Sequence, residues 1–159
     1  MSWQEVIGLK NLENRELLQL YGKLMEELRQ RELIRSSNNP VSDYAEKFVC
    51  DEMKLVIQKK SSKGYDAIDE KTGIKYQIKS RRVTIHNNSR QLGVIRNIKQ
   101  KLFDYLIAVI FDETFEPIEM WKIPRETILD YAPYSKHQNG HILTLSGKVL
   151  EDKKVTRLL

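Results

Sequence analysis

At 159 residues and 18.7 kDa the chain is long enough for one domain with a real core and short for two. Hydrophobic residues make up 40% and aromatics 8%, which excludes a disordered or low-complexity chain, and one cysteine (Cys50) with 3 histidines excludes an internal disulfide framework and disfavours a zinc finger. The longest apolar run, Tyr105 to Phe111, is far below the ~18 residues of a membrane span. No secretory signal is visible in the first thirty residues, so the cytoplasm is the expected compartment. The formal charge of +5 is unevenly spread: Lys59 to Lys101 holds twelve basic and three acidic residues, a local +9 against −4 in the remainder. That is the electrostatic footprint of a surface that meets a polyanion, nucleic acid first among them; the bland alternative is a solvated lysine-rich face.

From Glu13 to Ile34 the residues Leu17, Leu20, Tyr21, Leu24, Met25 and Leu28 recur at helical spacing and predict an amphipathic helix, an N-terminal extension over about 1–38. Asn38 to Pro40 breaks the pattern, with Asn39 placed as cap and Pro40 as first helical residue of a second helix. Its face reads Val41, Tyr44, Ala45, Phe48, Val49 and Met53, a stripe suited to packing on a sheet. Glu46 lies at the edge of that stripe, one position round from Ala45, where its carboxylate could look into a cleft. Cys50 reads as a small core residue.

Ser61 to Gly64 is a turn-rich break. A hairpin follows: Tyr65 to Asp69, a loop over Glu70 to Gly73, then Ile74 to Val83. A four-residue loop pairs Asp69 with Ile74 and sets Asp66 opposite Gln77. Strand alternation turns Tyr76 and Ile78 to the core and places Gln77, Lys79 and Arg81 on the other face, so that Asp66, Gln77 and Lys79 make a compact polar cluster. Leu92 to Leu102 predicts a short helix. The continuous run within Asp104 to Phe111 predicts the central strand, buried on both faces. Glu116 to Ile123 is its neighbour, Pro124 starts a helix through Tyr131, and His141 to Leu145 alternates as a final strand. The last fourteen residues carry no clear pattern. The sum is a single α/β domain over 1–159 with a mixed sheet flanked by helices.

Glu46 on a helix, Asp66 on one strand, and Gln77-Ile78-Lys79 on its partner resemble the PD-(D/E)xK signature of the restriction-endonuclease-like nucleases, over roughly Ser42 to Phe111. The approach Ser61-Ser62-Lys63-Gly64-Tyr65-Asp66 is also similar to that of several such nucleases. The chain departs from the pattern in two places: Gly64-Tyr65 stands where a Pro is common, and Gln77 replaces the acidic member of the triplet, as in QxK branches of the family. The resemblance implies a restriction-endonuclease-like fold and a Mg²⁺- or Mn²⁺-dependent endonuclease acting on DNA, in a homodimer by family habit.

The chemistry suits such a task. Phosphodiester hydrolysis requires an activated water and neutralised phosphate charge, which carboxylate-bound Mg²⁺ supplies. Asp66 would be the principal ligand, the Gln77 side-chain oxygen or Ile78 carbonyl a second, and Glu46 a direct or water-mediated third. Lys79 would orient the water and stabilise the transition state. Arg81 and Arg82, with Lys63, Arg90 and Arg96, are candidates for nucleic-acid contact. Three readings compete: the active nuclease, a catalytically inactive nuclease-fold module that only binds nucleic acid, and an interaction domain with no polyanion partner. In the last, Asp66 and Lys79 form an ordinary cross-strand ion pair. His137 and His141, separated by Asn139-Gly140, read as ordinary turn histidines and not as a zinc pair.

Overall fold

The stripe after Glu13 becomes helix α1 (Asn14–Gln30), started by a reciprocal cap in which the Glu13 N–H donates to Glu16 Oε2 at 2.8 Å. It ends four residues before the expected Ile34, where Glu32 takes a left-handed φ of 58°. The structure, a computed structural model, describes residues 8–59 and 64–159 and divides into two units between Pro40 and Val41. That division falls close to the expected end of the N-terminal extension. In the first unit Met25 and Ile34 are buried, while Leu17, Leu18, Tyr21 and Leu24 remain exposed.

The second unit opens with α2 (Val41–Met53) and continues through β1 (Val56–Ile57), β2 (Ala67–Ile68), β3 (Lys75–Arg82), β4 (Tyr105–Phe111) and β5 (Pro117–Pro124). Then come α3 (Arg125–Tyr131), the ribbon strands β6 (Tyr134–Ser135) and β7 (Gly140–His141), α4 (Lys148–Glu151) and β8 (Thr156–Arg157). Six strands form one mixed sheet in the order β1-β2-β3-β4-β5-β8, and β6 pairs with β7 separately. Among the described strands only β3 and β4 are parallel, from Tyr76 opposite Tyr105 to Arg82 opposite Phe111. The fold is therefore α/β, and β4 is interior and buried on both faces.

The two faces of the sheet are covered differently. Tyr76, Ile78, Ile107, Val109 and Phe111 pack with Ala45, Val49 and Cys50 of α2. Leu106, Ala108 and Ile110 pack on the other face with Leu92, Ile95, Ile98 and Phe103 from the β3–β4 connection, and with Ile128, Leu143 and Leu145. Cys50 is a core residue, as its place in the stripe indicated.

Two expected elements are corrected. Leu92 to Leu102 is not an α-helix; its one helical turn is a 3-10 turn at Ile98–Gln100, bracketed by left-handed Asn97 (φ 57°) and Lys101 (φ 55°). The segment runs extended because the chain near 141–145 offers backbone partners: Leu92 N–H donates to the Leu143 carbonyl at 2.9 Å, and Ile95 and His141 exchange two bonds of 2.8 Å. By the same bonds, His141 to Leu145 does not join the main sheet. Its alternation is real, since Leu143 and Leu145 are fully buried, but it is satisfied against the connection. The patternless C-terminus supplies α4 and the edge strand β8.

Gly140 sits where these two passes meet. A Cβ built there would lie 2.5 Å from Val94 Cγ2 and 2.8 Å from the Ile95 carbonyl oxygen. Backbone cannot yield as a side-chain tip can, so Gly140→Ala is expected to destabilise the chain by about 1–3 kcal/mol. Chemical denaturation checks this; an unchanged midpoint would mean that the two passes are not held at this spacing.

Candidate functional site

Gly64 begins the approach to the hairpin with φ 94°, and a Cβ there would fall 2.4 Å from Leu102 Cβ, so the turn and the close approach both require glycine. Asp66 is then held on both sides: its N–H donates to the Tyr76 carbonyl and its own carbonyl accepts from Gln58 N–H, each at 2.8 Å. Beyond it Ala67 stands opposite Tyr76 and Ile68 opposite Lys75, the register expected from the loop. Asp69 closes that loop. Its N–H donates to the Ile74 carbonyl at 2.9 Å, its carboxylate accepts from Lys71 N–H, and bonding from Thr72 and Lys71 holds its pKa below the usual carboxylate range.

β2 does not continue alongside Ile78. In its place Oδ2 of Asp66 accepts the Ile78 N–H at 2.7 Å, a partly buried, charge-assisted bond that sets the carboxylate against the backbone of the Gln77-Ile78-Lys79 triplet. Oε1 of Gln77 is buried and, among the described residues, has no hydrogen-bond partner. The Lys79 stem runs beside the β3–β4 connection; a Cβ on Gly93 would lie 4.0 Å from its Cδ. Gly93 had no role in the sequence reading, because its neighbour on β3 is fourteen positions away.

Alternation decides what else can join this row. Gln77, Lys79 and Arg81 occupy the positions that alternate with buried Tyr76 and Ile78, and Arg81 Nε donates to the Ser89 carbonyl at 3.1 Å. Glu46 is carried by α2, whose Ala45 and Val49 pack on Tyr76 and Ile78, and Ser80 Oγ donates to the Val41 carbonyl at 3.4 Å on that same face. Asp66, Gln77, Ile78 and Lys79 are thus gathered on one hairpin, whereas Glu46 belongs to the layer against the opposite face. Among the described residues, no group of three or more His, Cys, Asp or Glu side chains could hold a metal ion.

The candidate nucleic-acid contacts separate. Arg82 falls on the other face from Arg81, with its guanidinium 4.5 Å from the Phe115 ring centroid and Nε donating to the Glu113 carbonyl at 3.2 Å. Arg90 is a structural tie: Nη1 and Nη2 bond Glu119 at 2.9 and 2.6 Å, and Nε donates to the Leu145 carbonyl at 2.6 Å. Its charge is already matched inside the protein. Arg96 stays exposed while Nη2 donates to the Gln138 carbonyl at 3.1 Å. Lys63, with Ser61 and Ser62, lies outside the described residues. His141 Nδ1 donates to the Ala132 carbonyl at 2.9 Å and its ring meets Tyr134 edge-on, a structural role.

No protein-family model matches the chain, and comparison with curated proteins gives no match. Among the described residues no helix is long and apolar enough to cross a membrane.

Arg90, and secondarily the Trp121 indole N–H at 2.8 Å, hold the Glu119 carboxyl below its ordinary pKa. A depressed carboxylate stabilises the fold above its unfolded pKa of about 4.3, and that contribution is lost as pH falls through the folded value. Arg90→Ala is therefore expected to cost about 1–3 kcal/mol at neutral pH, with the difference from the parent shrinking on acidification below about pH 4. Denaturation at pH 7 and pH 3 tests it, and a pH-independent difference would contradict the assignment.

Proposed function

We propose that the chain is a metal-dependent endonuclease that hydrolyses DNA phosphodiester bonds on a restriction-endonuclease-like fold. The observation that carries this reading is the Asp66 carboxylate held by Ile78 N–H at 2.7 Å beside a buried Gln77 Oε1 with no partner among the described residues. A buried amide oxygen without a partner is costly unless something else satisfies it, and both groups are hard oxygen donors of the kind Mg²⁺ or Mn²⁺ selects. The donor set fits in part: Asp66 and Gln77 would hold the ion with the Ile78 carbonyl as a further oxygen, whereas Glu46, the third ligand that the resemblance implies, is carried by the helix that packs on the opposite face of the sheet. When bound, the ion would lower the pKa of a coordinated water and neutralise charge on the phosphate.

The chain's own residues would do the rest. Lys79 would hold the attacking water by its ammonium and offset negative charge on the phosphoryl oxygens. Arg81, on the same row, would fix the neighbouring phosphate. One such site cuts one strand, so breaking a duplex calls for two copies of the chain or two encounters. Gln77 in place of a carboxylate, and the lack of a three-acid group among the described residues, favour the second reading, an inactive nuclease-fold module that binds nucleic acid.

Plasmid and structured oligonucleotides incubated with Mg²⁺, Mn²⁺ or EDTA separate these readings. Metal-dependent cutting is expected, lowered about 100-fold or more by Asp66→Asn and by Lys79→Ala at unchanged thermal stability, with Gln77→Glu as active as the parent or more so. Asn preserves an acceptor for Ile78 N–H, so the comparison isolates the charge. Cutting by Asp66→Asn at the parent rate would overturn the site. Salt-sensitive binding without cutting in any metal would establish the inactive module.

A further inference from the structure

The ribbon of β6 and β7 holds an exposed aromatic ring in one place. Tyr134 is 55% exposed, yet its hydroxyl donates to Asn139 Oδ1 at 2.7 Å, and the His141 ring meets it edge-on with centroids 5.4 Å apart. His141 is itself held by the Ala132 carbonyl. Tyr134 is also the residue shared by two open clefts of about 460 and 430 Å³, so its ring divides them. Asn97, Lys99, Gln100 and Asn139 line the first, and Gln91, Ser146 and Lys148 give polar groups to the second. Among the described residues neither lining includes an Asp or Glu.

The two ammonium groups are unclaimed. Among the described residues neither the Lys99 nor the Lys148 side chain is in an ion pair or hydrogen bond, in contrast to Arg90 and Arg96, whose guanidiniums are bonded within the protein. A fixed ring with a free cation and side-chain amides on either hand, and no carboxylate to repel an anion, matches a base stacked between two phosphates. A neutral sugar would also lie on the ring but gives the two cations nothing to meet. Both clefts reach the polar row on β3. Gln91 N–H donates to Ser89 Oγ at 3.3 Å, and the Ser89 carbonyl holds Arg81. Gly140 of the first cleft abuts Val94, next to the Gly93 that the Lys79 stem passes. We infer that the clefts beside Tyr134 hold a single strand of nucleic acid, one base stacked on the ring and its flanking phosphates on Lys99 and Lys148. This rests on the nucleic-acid reading above and narrows its substrate class: bases within a duplex are already stacked, so the preferred substrate carries an unpaired segment.

Fluorescence anisotropy of the full chain with labelled single strands of about 12 nucleotides, in EDTA so that nothing is cut, tests the clefts. The single strand is expected to bind more tightly than the same sequence as duplex. Tyr134→Ala should weaken its binding about tenfold and Tyr134→Phe should not, which separates stacking from the Asn139 hydrogen bond. The double variant Lys99→Gln, Lys148→Gln should flatten the slope of log affinity against log salt by about 1.4 at unchanged thermal stability. Parent-strength binding by Tyr134→Ala, or an unchanged salt slope in the double variant, would overturn the inference, as would tighter binding of polyglutamate, which would mark an acidic protein as the occupant. Mg²⁺-dependent cutting of duplex without single-strand binding would remove the clefts and leave the nuclease standing. Neither binding nor cutting of any nucleic acid would remove both.

Discussion

The parallel pairing of β3 with β4 is the constraint from which the rest of the second unit follows. Antiparallel neighbours can be joined by a tight turn, but parallel ones oblige the chain to travel back along the sheet before it pairs again. Here that return, residues 83–104, has almost no helix, and it buries Leu92, Ile95, Ile98 and Phe103 against the face that α2 leaves uncovered. Its backbone groups find their partners in residues 141–145. The same segment passes beside Lys79 at Gly93 and anchors Arg81 at Ser89, so the connection that the sheet requires also borders the row of polar residues on β3.

On the other edge of β3 a side chain takes over where a strand stops. Asp66 gives Ile78 N–H the acceptor that β2 no longer provides, which satisfies a backbone donor and fixes a carboxylate in one place. Gln77, in the adjacent position, has a buried side-chain oxygen that no described residue satisfies.

The parts legible in the sequence were those decided by near neighbours. The α1 and α2 stripes, the four-residue loop and the run within β4 fixed two helices, the hairpin register and the central strand, since spacing and turn length act over a few residues. Glu46 shows where this ends: periodicity put it at the margin of the α2 stripe but said nothing about which face of the sheet α2 would cover. The connection was misjudged as a helix because Leu92, Ile95 and Ile98 have helical spacing, while the partners that hold it extended lie some 45–50 positions on. Within the basic run Arg90 is indistinguishable from its neighbours; its bonds to Glu119 and Leu145, 29 and 55 positions distant, are invisible to local pattern. Arg81 and Arg82 differ in another way, since alternation alone assigns them to opposite faces once β3 is recognised.

Sequence separation also ranks the order in which these contacts become affordable to a folding chain. Asp66 reaches Ile78 over 12 positions and Ala67 meets Tyr76 over nine, whereas β3 meets β4 over 29 and β5 meets β8 over about 35. Closing a short loop costs less entropy than closing a long one. The hairpin with its Asp66 clasp is thus favoured to assemble first, and the shelter over it, the connection and its partners near 141–145, closes last. In a nascent or partly denatured chain the polar residues of the hairpin would be gathered before the segments that cover them are in place.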